Sequence, residues 1–446
     1  MSAPLADLDD CFEGVIPSVV ATLDAAGEPN VSYLSQVYRV DDRHLALSNQ
    51  FFSKTTANVK ATGRASVLIV SGRTGAQHLL GMVHVGSLHE GELFGRMAAQ
   101  LSAIASHQGV GDAMALRSAE IYRVETRQTI WGPGGPAVTA RGARDVLALS
   151  ARLSAQIAGL SDANAMVDHV LDQLVDGFGY SNVMLLLSNE ADGRLTTLAS
   201  RGYDRGGAGA ELLLGEGVIG IAASTGYAVR LSDMSRGERM AAAAVRATTQ
   251  HEQARHIPLP GLIDPQSQLA APMISQGVLH GVLFAEASER FSFTADDESA
   301  LTLIGSQLAA SLRLADSDAE ETAVAEPAAA TAPDGPELHV RAFDFDDSVF
   351  IGDDYIIKGV AGRLLLHFMA VYAATGRCDF TNREIRLEPT LKLPEYKDNL
   401  ETRLILLKRR LDERGAKVRL DRPERGRIRL VLDGAPRIVV TRLAEG

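Results

Sequence analysis

A chain of 446 residues exceeds the roughly 250–300 residues at which a single hydrophobic core stops growing, so several domains are required. Its 46% hydrophobic and 22% charged residues are those of a globular protein. A formal net charge of −12 excludes a surface that coats nucleic acid throughout, while allowing a local basic segment. Two distant cysteines, Cys11 and Cys378, exclude a disulfide framework and a Cys-rich metal site. The acidic start MSAPLADLDD is not a signal peptide, and no apolar run reaches the roughly 20 residues that span a bilayer. A cytoplasmic, non-membrane protein is expected.

Residues 1–131 read as mainly β. Val15 to Leu23 leads through the turn Asp24-Ala-Ala-Gly27 into a second strand, Pro29 to Tyr38, a hairpin by its alternation and turn residues. Short apolar runs at 45–48 and 65–70 and a longer one at 82–88 add strands, and helices are expected near 90–106 and 110–119. Many short strands with interposed helices suggest a small barrel.

Between two of these strands lies SNQFFSKTTANVKATGR, rich in hydroxyls and cations. Ser53-Lys54-Thr55-Thr56 before a helical turn supplies hydroxyls, backbone amides and a cation, the components of a phosphate site. A polar loop with a helix cap is the other reading of the same residues. Together with "GVIPSVVATLDAAGEPNVSYLSQVYRVDDRHLALSN" and "MVHVGSLHEG", this segment resembles the pyridoxamine 5′-phosphate oxidase-like, FMN-binding split barrels. The resemblance implies a dimer with flavin at its interface, the FMN phosphate held by Ser53, Lys54 and Thr55, and Ser48 and Asn49 lining the same strand end. The segment lacks the basic C-terminal stretch of a true oxidase of that name. His78, His84 and His89 raise haem as a second occupant, and an empty barrel is a third state.

Gly- and Pro-rich residues 131–144 mark a connection, and residues 145–315 form the next unit. Apolar positions at spacings of three and four predict helices over Val146 to Leu160 and Met166 to Val175, strands follow, and a final helix over 295–314 carries Leu301, Ile304, Leu308 and Leu312 on one stripe. "FGYSNVMLLLSNEADGRLTTLASRGYD", "LGEGVIGIAASTGYAVRLSDM" and "SQLAAPMISQGVLHGVLFAEAS" resemble GAF domains, in the family's order. The resemblance implies a small-molecule pocket between sheet and loops, with the long loop 235–265 as a candidate lid. Thr294 and the acids after it read as a helix cap. His251, Glu252 and His256 are too few for a metal site and read as a solvated loop.

Residues 316–336, acidic and rich in Ala and Pro, read as a flexible linker. Residues 337–446 then run as strands, a helix at 361–374, a second helix whose Thr381 and Glu384 have capping-box spacing, a third at 396–413 with Leu400, Leu404, Leu407 and Leu411 as its buried stripe, and a terminal hairpin. The order is a winged helix-turn-helix pattern; it resembles the winged helix of OmpR-type response regulators. Lys397, Arg403, Lys408, Arg409 and Arg410 surround the leucine stripe, and Arg422 and Arg425 mark the hairpin tip. Cations so placed suit DNA.

The fold class is therefore a multi-domain α+β chain of split β-barrel, GAF α/β sensor domain and winged helix-turn-helix. No nucleophile, base and acid constellation stands out. The expected function is a ligand- or redox-sensing homodimeric transcriptional regulator with a small molecule in its GAF domain; the alternative is an FMN-dependent oxidoreductase with regulatory domains.

Overall fold

The computed structural model describes residues 4–50, 54–107, 115–132, 144–189, 193–235, 257–321, 336–391, 393, 400–415, 417–424 and 426–441. The N-terminal domain opens with a 3-10 turn, Leu5–Cys11, followed by β1 (Ser18–Leu23), β2 (Pro29–Leu34), β3 (Val37–Arg39), β4 (His44–Asn49), α1 (Lys54–Thr62), β5 (Arg64–Val70), β6 (Gln77–Leu88), α2 (Glu92–His107) and β7 (Ser118–Trp131). Its strands pair antiparallel in the order β2-β1-β5-β6-β7-β4-β3. Alternate residues of β1, β4, β5 and β6 turn inward, so Val20, Leu45, Leu47, Val67, Ile69, Leu80 and Met82 form one core. Of the helix expected at 110–119, residues 110–114 lie outside the described residues, and its end is strand: the β-branched and aromatic run Ile121-Tyr-Arg-Val124 pairs with β6 and β4 from Ser118 onward.

The central domain comprises α3 (Val146–Ala158), α4 (Ala163–Asp176), β8 (Asn182–Asn189), β9 (Arg194–Arg201), β10 (Glu211–Leu213), α5 (Gly217–Thr225), β11 (Val229–Leu231), β12 (Ser267–Ser275), β13 (Val278–Ala287) and α6 (Ala295–Glu321). The strand order is β10-β9-β8-β13-β12-β11. One sheet face carries α3, α4 and α6; the other carries α5. In the first turn of α5 only glycine serves at Gly220, where an added Cβ would lie 2.4 Å from the Leu213 carbonyl oxygen. The expected cap of α6 is present: Thr294 N and Oγ1 both donate to Asp297 Oδ2, at 2.8 Å each. Helix α6 continues to Glu321, into the stretch expected to be linker.

The C-terminal domain holds β14 (Glu337–Phe343), β15 (Ser348–Ile351), β16 (Asp354–Ile357), α7 (Gly359–Thr375), β17 (Asp379–Thr381), α8 (Asn382–Leu387), α9 (Leu400–Arg414), β18 (Val418–Asp421), β19 (Arg427–Leu432) and β20 (Ala435–Thr441). Its helices lie with one sheet ordered β16-β15-β14-β20 and another ordered β17-β19-β18. Half of the expected capping box forms: Thr381 Oγ1 accepts from Glu384 N at 3.3 Å, while the Glu384 carboxylate turns to Arg377.

Neighbouring domains share helices with the central one. Ala99 and Ala103 of α2 pack with Val218, Ile219 and Ala222 of α5, and the Gln100 side-chain amide bonds both the N–H and the C=O of Arg230 on edge strand β11. On the other flank, Leu404-Ile405-Leu406-Leu407 puts apolar residues on every side of α9, and all four are buried. Such a helix needs cover all round. The C-terminal domain buries one side and the central domain the other, so the two share one continuous hydrophobic cluster. Arg409 reaches Asp168 on α4 at 3.0 Å, and Asp316 of α6 accepts from Arg386 and from the first-turn amide of Glu401. Ile405→Ala should therefore lower the stability of both domains together, by about 2–5 kcal/mol, in one thermal transition followed by calorimetry. A C-terminal transition that shifts alone would contradict the shared core.

Candidate functional site

A cavity of about 210 Å³ opens at the mouth of the N-terminal barrel, where β2, β4, α1, β6 and β7 converge. Its inner wall is apolar, from Val20, Leu34, Leu47 and Val59, and its rim carries Ser32, Ser35, Asn49, Gln50, Thr55, Thr56, Lys60 and His84. Period-two alternation on β2 turns Asn30, Ser32 and Leu34 inward and Val31 and Tyr33 toward solvent.

Three of the sequence-predicted residues meet there. Ser48 is buried, with Oγ donating to the Gln36 carbonyl at 3.2 Å. Asn49 Nδ2 donates to Ser118 Oγ at 3.0 Å. Thr55 Oγ1, at the start of α1, accepts from Asn30 Nδ2 at 2.9 Å and lies 3.0 Å from Ser32 Oγ. Lys54 does not line the cavity: its side chain is 54% exposed and stands 4.0 Å from Asp24. Ser53 lies outside the described residues. Among the described residues the buried Gln50 side-chain nitrogen at this rim has no hydrogen-bond partner, a donor available to a ligand's acceptor.

The three histidines that raise haem as a second occupant do not converge. His78 meets Thr129 and lines a different cavity, His89 meets the Arg117 carbonyl on the exposed side, and His84 alone faces the barrel cavity. Its Nε2 lies 2.8 Å from Glu120 Oε2. Glu120 also accepts from Ser87 and Ser118, at 2.6 Å each. Burial alone would raise its pKa, but the bonds from Ser118, Ser87 and His84 outweigh it and hold the carboxyl below the usual carboxylate range. Glu120, Gln50, Lys60 and Ser32 were missed as candidates; alternation on β2 and β7 is a signal for Ser32 and Glu120, whereas Gln50 follows β4 and Lys60 lies on α1.

In the central domain the face opposite the long helices is apolar, with Met184, Leu186, Val282 and Phe284 against α5. Within it sits Glu286, only 2% exposed, accepting from Leu262 N at 2.8 Å and Gln268 Nε2 at 3.1 Å. Burial pushes this carboxyl above its ordinary pKa, against those bonds. His251, Glu252 and His256 lie outside the described residues. Among the described residues no His, Cys, Asp and Glu cluster could hold a metal, and no helix is long and apolar enough to cross a membrane.

The basic residues of the C-terminal domain are placed differently from expectation. Arg410 is 4% exposed and donates to the Ile356 and Tyr355 carbonyls at 2.7 and 3.3 Å; burial lowers its pKa. Arg403 is 5% exposed and lines an interdomain cavity with Arg194 and Glu211. Arg409 meets Asn164 and Asp168 of the central domain, Arg422 pairs with buried Glu401, and Lys408 bonds Asp412 one turn away. Lys397 and Arg425 lie outside the described residues. The placement has a physical reason: an all-round apolar helix packs its flanking arginines along with it, and Arg409 and Arg410 bond carboxylate and carbonyl oxygens of the chain.

Residues 6–129 match the pyridoxamine 5′-phosphate oxidase family, and residues 161–313 match the GAF domain family. No curated protein matches the chain. Similar solved structures include the GAF domain of an Acinetobacter phosphoenolpyruvate-protein phosphotransferase, at 20% identity over 41% of this chain and 99% of that one, with a TM-score of 0.32. An FMN-binding protein from Syntrophomonas wolfei is 17% identical over 28% of this chain and 91% of its own, TM-score 0.23. The HupZ protein of Group A Streptococcus is 20% identical over 30% of this chain and 100% of its own, TM-score 0.23. The chain thus joins a pyridoxamine 5′-phosphate oxidase-like split barrel to a central GAF domain.

A carboxyl held acidic by folding adds stability above its unfolded pKa, near 4.3, and loses it as pH falls through the folded value. Urea unfolding of Glu120→Gln should therefore show a deficit against the parent at neutral pH that closes below about pH 4. A deficit that is the same at both pH values would contradict this account of Glu120.

Proposed function

We propose that the chain is an FMN-dependent oxidoreductase of the split-barrel type, with the GAF domain and the C-terminal domain as regulatory parts. The observation that carries this reading is the barrel cavity itself: hydroxyls at the start of α1, a cation at Lys60 and the unpartnered donor of Gln50 around an apolar wall. This donor set fits a phosphorylated heterocycle. Ser48, Asn49, Gln50 and Thr55 would hold the group; FMN, when bound, supplies electron transfer, and the protein supplies binding and orientation. The GAF domain takes a small molecule on the face that holds Glu286.

A second copy completes the site. At about 210 Å³ the cavity is below the roughly 300–1,000 Å³ that encloses a drug-sized ligand, and Tyr33, 81% exposed at its lip, adjoins Val31 and Leu23 on an uncovered apolar face. The docking of α9 turns the reading away from a DNA-binding regulator: its arginines are engaged within the chain.

The purified protein should show flavin absorption bands, or acquire them with added FMN. Thr55→Ala should weaken FMN binding about tenfold, the loss of one hydrogen bond near a charged group. A colourless protein that leaves added FMN free would contradict the reading, and a Soret band would replace it with haem.

A further inference from the structure

The barrel cavity also holds a histidine–carboxylate pair. His84 sits where β6 and β7 change register, its ring edge-on to Tyr122 with centroids 5.2 Å apart. Asn49 donates to Ser118, Ser118 and Ser87 donate to Glu120, and Glu120 faces His84 Nε2. Two hydroxyl donors and the charge of the carboxylate fix Glu120 as an acceptor, so Nε2 carries the hydrogen of that contact. Among the described residues no protein atom bonds Nδ1, and His84 lines the cavity. A neutral ring would thus offer an acceptor at Nδ1, and a protonated ring a donor.

We propose that His84 is the proton-exchanging group of the barrel cavity, positioned by Glu120, and that the cavity accordingly takes a heteroaromatic ligand whose ring or carbonyl gains a proton on reduction. The inference rests on the flavin reading for the identity of that ligand. The step balances simply: the Nδ1–H bond of the imidazolium breaks, its electron pair stays on Nδ1, and the proton joins the ligand atom made basic by reduction, the electrons coming from the reductant of the flavin reaction, a hydride or electron donor. Glu120 keeps its charge throughout. The other titratable side chains that line the cavity are Tyr33 from β2, Lys60 from α1 and Tyr122 from β7. Burial pushes the Tyr122 phenol up, so it stays neutral across the working range.

The test uses the full chain. FMN affinity, read by quenching of flavin fluorescence between about pH 5.5 and 8.5, is compared for the parent, His84→Gln and Glu120→Gln. His84→Gln separates the imidazole from the phosphate of FMN, which itself titrates near pH 6. The parent should bind about fivefold more tightly than His84→Gln at the acid end, the worth of one hydrogen bond, with the gap narrowing toward the alkaline end. Glu120→Gln should flatten the profile in the same sense. Parallel profiles for parent and His84→Gln overturn the proposal.

A second arm needs no ligand. Carbethoxylation by diethyl pyrocarbonate, mapped by peptide mass spectrometry, should label His84 through its open Nδ1, and Glu120→Gln should change that rate about threefold or more as the ring loses its fixed orientation. An unlabelled His84, or a rate indifferent to Glu120→Gln, overturns the pair. If FMN binds no variant at any pH while the labelling result holds, the flavin reading has failed and the pair stands.

Discussion

The cover that α9 demands organises half of the molecule. Four consecutive apolar residues, Leu404 to Leu407, lie on all sides of one helix, and a three-helix domain with its sheets on its own can bury only part of them. The central domain buries the rest, and the ion pairs of Arg409 with Asp168 and of Arg386 with Asp316 fix where it does so. Apolar burial supplies the strength of such a junction; the charged contacts, partly solvated, supply its register.

The GAF domain is consequently a hub. On one flank it receives α9, and on the other α2, whose Met97 packs with Ala46 of β4 and Ala119 of β7 while Ala99 and Ala103 pack on α5. Strands β4 and β7 also line the barrel cavity through Leu47, Ser48, Glu120 and Tyr122. One helix therefore has two strands that line the barrel cavity on one side and α5 of the GAF domain on its other. Close contact enforces this: a Cβ on Gly95 of α2 would lie 2.3 Å from the Tyr227 ring. Linkage between two sites is reciprocal, and α2 is one of the elements through which these two domains meet, with Arg73 on the Phe291 carbonyl as another contact.

Local signals in the sequence carried much of the fold. The periodicity of α3, α4 and α6 and the alternation of the barrel strands follow from which residues must face a core, and the Gly-rich turn leading into α5 from the positive φ of Gly215 and Gly217. The site was legible where its chemistry is local: Ser48, Asn49 and Thr55 lie within eight residues of one another and meet at the cavity. Glu120 and Gln50 were not, because their roles depend on partners across the sheet. The partners of the α9 arginines are likewise distant in sequence. A helical wheel separates a leucine stripe from a basic flank, but Ile405 and Leu406 among those arginines show that the flank is itself a packing surface, and only tertiary structure names what packs there.

Hydrogen exchange along α9 in the intact chain tests the central claim most directly. A helix buried on both sides opens only with the body it belongs to, so amides of residues 400–411 should exchange as slowly as those in the core of α6, with and without duplex DNA. Exchange about a hundredfold faster than in α6, the signature of a separately opening unit, or protection that appears only when DNA is added, would contradict it.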